Sequence, residues 1–102
     1  MITINEIEPG NFELYLDESF DFESHKDFRQ CIKDAMKDDP KMLAIDFSRV
    51  EYIDSSALGM LMLAKHEAEE HNCKIELANV QEGHAMNVLN LVKFDKMFCL
   101  RK

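Results

Sequence analysis

No tryptophan, three glycines and two prolines occur in the 102 residues of this chain. There is accordingly no linker, repeat or low-complexity tract to divide it. A chain of this length builds one core, so residues 1–102 are expected to form a single domain. Basic residues are also scarce. Twelve Lys and Arg stand against 20 Asp and Glu, a formal net charge of −8. Such a surface repels phosphate backbones and anionic headgroups, which argues against nucleic acid and membrane as partners. A protein with a basic or neutral docking face suits it better.

No apolar stretch approaches the roughly 20 residues that cross a bilayer. The start, Met1-Ile2-Thr3-Ile4-Asn5-Glu6, lacks the basic and apolar regions of a signal peptide, so the cytoplasm is the expected compartment. Cys31, Cys73 and Cys99 form no C-x-x-C pair and sit among apolar neighbours, which suits free buried thiols rather than a metal site. His66 and His71 are five apart, not the four of a zinc helix, and G-x-S-x-G is absent. No catalytic residue, metal or cofactor is expected. His25 and His84 are expected at the surface or in caps. Met60, Met62, Met86 and Met97 are expected to fill the core, with Met60 the one candidate for exposure beside Leu58 and Leu61.

What is present is a clear alternation of periods. Ile2, Ile4 and Ile7, the turn Pro9-Gly10-Asn11, and Phe12, Leu14 and Leu16 alternating with polar residues predict an N-terminal hairpin. Phe28, Cys31, Ile32, Ala35 and Met36 have helical spacing, ended by Asp38-Asp39-Pro40. Met42–Phe47 is almost continuously apolar, as a central strand covered on both faces would be. The longest helix is expected from about 56 to 71, with Ala57, Leu61, Ala64 and Ala68 inward and Leu58 and Met62 widening that stripe. Cys73, Ile75 and Leu77 predict a strand. Ala85, Val88, Leu89 and Val92 predict a third helix, and Met97-Phe98-Cys99-Leu100 offers a last short extended segment. The fold expected is α/β: a mixed sheet of four to five strands with an N-terminal hairpin and three main helices.

In such sheets functional groups collect where strands end and helices begin, here residues 48–58. Asp54 or Ser55 is a good helix N-cap, which puts Ser56 in the first turn. Read locally, Asp54-Ser55-Ser56 is no more than a cap, and Ser48 no more than a turn former.

The span Leu43–Gly59 carries more than that. Its strand, Asp-containing turn and Asp54-Ser55-Ser56-Ala57-Leu58-Gly59 resemble the signature region of bacterial anti-sigma factor antagonists, members of the STAS domain family. Leu77-Ala78-Asn79-Val80 and Val88–Phe98 resemble that family's later strand, turn and last helix. One departure stands out: Ala57 occupies the place of the usual Gly.

The resemblance implies a STAS-like domain that works by partner switching. Ser56 would be the phosphorylated serine, with Ser55 the runner-up and Asp54 orienting the hydroxyl or assisting in the kinase complex. Asp54, Ser55, Ser56, Ala57, Leu58, Met60 and Leu61 would form the partner-binding surface. The implied partners are a serine kinase that doubles as an anti-sigma-type regulator and a PP2C-type phosphatase. The output would be a sigma factor or a pathway such as biofilm or stress control. The alternative is a STAS accessory or scaffold subunit of a transport or stress-signalling complex, without phosphorylation.

Overall fold

The computed structural model describes residues 2–101. Gly10 turns the chain with φ +84°, a conformation that costs a residue bearing a Cβ, and its N–H donates to Glu6 Oε2 at 3.0 Å. The turn joins β1 (Thr3–Glu8) to β2 (Asn11–Tyr15) as an antiparallel hairpin with Ile4 opposite Leu14. The predicted alternation holds, for Phe12, Leu14 and Leu16 are buried.

Helix α1 (His25–Lys37) buries Phe28, Ile32, Ala35 and Met36. It stops where Asp39 turns left-handed (φ +52°) ahead of Pro40. Strand β4 (Met42–Asp46) is apolar because it is central, running parallel to β2 on one side and to β6 (Lys74–Ala78) on the other. Helix α2 (Ser55–Glu70) connects β4 to β6, and α3 (His84–Leu91) precedes the edge strand β7 (Cys99–Arg101). The five-stranded sheet has the order β1-β2-β4-β6-β7 and is mixed, antiparallel at the hairpin and parallel elsewhere. This is the α/β architecture anticipated, with its three helices.

Two short strands had no signal in the sequence. β3 (Ser19–Phe20) and β5 (Tyr52–Ile53) pair in parallel, Phe20 beside Ile53. Phe20 also meets Phe28 and Phe47, with ring centroids 5.1 and 6.3 Å apart. This buried aromatic group fixes Ile53 immediately ahead of α2.

The core lies between the sheet and the α1–α2 layer: Leu14, Leu43, Ile45 and Leu77 from strands, Ala57, Met60, Leu61, Ala64 and Ala68 from α2. Truncating Leu61, wholly buried, to Ala would cost about 2–5 kcal/mol. Several expectations are corrected here. Met62 does not widen the buried stripe, being 38% exposed, while Met60 takes the inward place. Val92 and Met97, at the same exposure, lie beyond α3, where the chain has left the helical register. Cys73 is buried, but Cys31 is half-buried and Cys99 exposed on the edge strand. Among the described residues no helix is long and apolar enough to cross a membrane.

Candidate functional site

The connection from β4 to α2 is held at both ends by a carboxylate. Asp46, at the end of β4, is buried and accepts from the Ser48 N–H at 2.8 Å and from Asn79 Nδ2 at 2.7 Å. Burial pushes its carboxyl upward. The hydrogen bonds from Ser48 and Asn79 and the attraction of Arg101 outweigh burial and hold it below the usual carboxylate range. Asp46 therefore joins the tips of two neighbouring strands.

Asp54 is the N-cap of α2, in extended conformation (φ −119°), and its Oδ1 accepts the Ala57 N–H at 3.0 Å. Its Oδ2 accepts the Phe22 N–H at 3.2 Å, from a residue 32 positions earlier. Phe22 opens the 3₁₀ turn Phe22–Ser24 that leads into α1, and Asp21 caps that turn by accepting the Glu23 N–H. The hydrogen bonds of Asp54 thus go to backbone, as cap and tether, rather than to the Ser56 hydroxyl that the resemblance implies it would orient.

Ser55 and Ser56 are the first two residues of α2, Ser55 exposed and Ser56 partly so. Ser56 lies in a shallow groove with Phe22, His25, Gly59, Met62 and Leu63. Phe22 is 71% exposed and Leu63 51%, a large apolar exposure for adjoining residues. The Phe22 ring stacks on His25, with centroids 6.4 Å apart. Gly59, one turn after Ser56, leaves the groove open: a Cβ there would meet nothing within 4 Å.

The expected docking residues divide accordingly. Asp54, Ser55, Ser56 and Leu58 reach or approach the surface, whereas Ala57, Met60 and Leu61 are at most 2% exposed. Ala57 and Leu61 belong to the core stripe that α2 turns inward, and Met60, although almost wholly buried, also lines the floor of the groove. Phe22, Met62 and Leu63 hold the exposed places. The apolar run Ala57–Ala64 pointed to α2 but not to which side faces out, and nothing local singled out Phe22.

Across the Phe22 turn lies a second, polar hollow lined by Asp17, Glu18, Asp21, Glu23, Asp27 and Arg49. On the opposite side of the α2 entry, His84 donates Nε2–H to the Ile53 carbonyl at 2.9 Å and stacks flat on Tyr52. His66 pairs with Glu70 and His71 bonds the Glu67 carbonyl, so the two histidines serve different turns of α2. Among the described residues no three His, Cys, Asp or Glu gather as metal ligands. Burial pushes the Cys31 and Cys73 thiols up, away from nucleophilic thiolate.

The family described as Mlab, STAS domain, matches residues 6–101. A STAS-domain containing protein of Pseudomonas aeruginosa (strain UCBPP-PA14) is 35% identical over 79 residues, 78% of this chain and 76% of its own. Among solved structures, an anti-sigma factor antagonist from Mycobacterium paratuberculosis superposes with TM-score 0.86 at 20% identity, covering 99% of this chain and 84% of that one. A sulfate transporter family protein from Wolinella succinogenes gives TM-score 0.82 at 17% identity, over 95% and 80%. The Bacillus cell fate determinant SpoIIAA in its phosphorylated form gives 0.76 at 16% identity, over 100% and 92%. At these identities the structural likeness is one of fold.

Proposed function

The chain belongs to the STAS domain family, and on that premise we propose that it is a partner-switching protein of the anti-sigma factor antagonist type, residues 1–102 acting as one domain in the cytoplasm. Unmodified, it docks a serine kinase that also serves as an anti-sigma-type regulator. The kinase moves the γ-phosphoryl group of ATP to Ser56 Oγ: the bond to ADP breaks, the Oγ–P bond forms, and the hydroxyl proton leaves to a base on the kinase. The modified form lets go, and a PP2C-type phosphatase hydrolyses the ester and restores the hydroxyl. The output is a sigma factor or another pathway such as biofilm or stress control.

The observation that carries this reading is the position of Ser56. It is a partly exposed hydroxyl in the first turn of a helix, inside an apolar groove. A phosphoserine there brings about −1.5 to −2 charges. The helix N-terminus favours an anion by about 0.3–1 kcal/mol, so the scaffold tolerates it. A docked partner does not. An unpaired charge buried at an interface costs about 3–5 kcal/mol, which lowers affinity roughly a hundredfold to several thousandfold.

The test pairs Ser56→Ala with Ser56→Asp in binding to the kinase partner. Retention by the first and loss by the second is the expected result, and equal binding by both removes the switch. Mass spectrometry after incubation with kinase and ATP separates Ser56 from Ser55. The likeness in fold to a sulfate transporter family protein favours a second reading, a STAS accessory subunit that is never phosphorylated. Protein from its own cell that carries no phosphate under any condition would support that reading instead.

A further inference from the structure

The docking surface has two parts on the two sides of one turn, and together they specify the partner's chemistry. Phe22 faces the apolar groove that holds Ser56, Met62 and Leu63. Its chain neighbours Asp21 and Glu23 line the hollow behind, together with Glu18, Asp27 and the guanidinium of Arg49. The turn that carries all three residues is tied to the start of α2 through Phe22 N–H and Asp54 Oδ2. One carboxylate thereby sets the anchor, the acidic rim and the switch serine in fixed relation.

We infer that Phe22 is the anchor of partner docking, and that the partner is a protein presenting an apolar pocket bordered by Lys and Arg on the side facing this turn. This rests on the reading of Ser56 as the centre of the docking surface. Aromatic rings, phenylalanine included, are enriched at the cores of interfaces, where a few well-buried anchors carry most of the binding energy. A rim rich in one sign of charge steers a partner of the other sign and gives an association rate that falls with salt.

The experiment follows phosphate incorporation at Ser56 by intact mass and peptide mapping, in clarified extract of the protein's own cell supplied with ATP. Wild type, Phe22→Ala and the paired reversal Glu23→Lys/Asp27→Lys are compared at low and high salt, each first checked for an unchanged thermal unfolding profile. The initial rate should fall about thirtyfold in Phe22→Ala. The charge reversal should lower it about tenfold at low salt and by little at high salt, where rim charges are screened. Phe22→Ala reacting within twofold of wild type overturns the anchor and leaves the Ser56 reading intact. A rate indifferent to salt and to the charge reversal overturns the basic-rimmed partner. No incorporation into wild type overturns both this inference and the reading it rests on.

Discussion

Asp46 and Asp54 stand at the two ends of one connection, in which the chain leaves β4, crosses the top of the sheet and enters α2. Each carboxylate accepts two hydrogen bonds, yet they serve different ends. Asp46 is sealed, 6% exposed, and joins two strand tips through Ser48 and Asn79. Asp54 lies nearer the surface and joins a helix to an exposed turn. The difference teaches how to tell scaffold from working surface. Burial makes the Asp46 bonds a matter of stability, while the Asp54 bonds arrange groups that solvent, and a partner, can reach.

The sharpest way to break that contrast is Asp46→Ala. It removes the acceptor of the Ser48 N–H and the Asn79 amide, and urea denaturation should show a loss of about 2 kcal/mol. Phosphorylation of the surviving folded protein at Ser56 should be unchanged. A substitution that spared stability and abolished modification would reverse the roles assigned to the two residues.

Acid tests the same residue by another route. The folded carboxyl of Asp46 titrates below the usual range, whereas an unfolded Asp titrates near pH 3.9. A depressed folded value means that stabilisation is fully present above the unfolded value and is lost as pH falls through the folded one. Between the two the unfolded state binds the extra proton, and stability drops by up to about 1.4 kcal/mol per pH unit for that group. In Asp46→Asn this part of the acid limb should flatten. Parallel limbs in wild type and variant would show that Asp46 is not the group responsible.

Asp54 should cost less and do more. Asp54→Ala forfeits an N-cap, worth about 1 kcal/mol, and releases the Phe22 turn. Asp54→Ser restores a capping oxygen but not the second acceptor. Thermal melts should therefore find Ser close to wild type and Ala below it, while both react slowly at Ser56. A fully active Asp54→Ser would sever the tether from function.

The same pair of residues marks how far the sequence could be read. The strands of the main sheet, the three helices and their order were legible because the apolar periods are regular and the turns carry Pro9, Gly10 and Pro40. At the mouth of α2, Asp54-Ser55-Ser56 made the helix cap legible, and the structure has Asp54 in that place; the proposed switch rests on the family likeness of Leu43–Gly59, not on local spacing. The exposed side of α2 was not. Ala57 to Ala64 is apolar except for Gly59, so periodicity could not choose between Met60, which is buried, and Met62 and Leu63, which are exposed. Phe22 was hidden for another reason. Phe20 and Phe22 alternate with acidic residues, and nothing local shows that the first is buried and the second exposed; the place of Phe22 beside Ser56 depends on a bond between residues 32 apart. The β3–β5 pairing, two residues on each side, is too short to leave a pattern.

Gly59 gives the smallest effect and the one whose sign discriminates best. It lies inside α2, where glycine costs about 0.5–1 kcal/mol relative to alanine because of the freedom it loses on folding. Its φ is not in the left-handed region, and an added Cβ would meet nothing within 4 Å. For the isolated domain Gly59→Ala should therefore be a gain of about 0.5–1 kcal/mol in chemical denaturation. At the groove the same methyl projects into the space beside Ser56, where a docking partner would approach the helix backbone. Partner association, read as the rate of Ser56 modification, should fall as stability rises. Gains in both would mean that the partner never comes close to this face, and the working surface would have to be sought away from the groove.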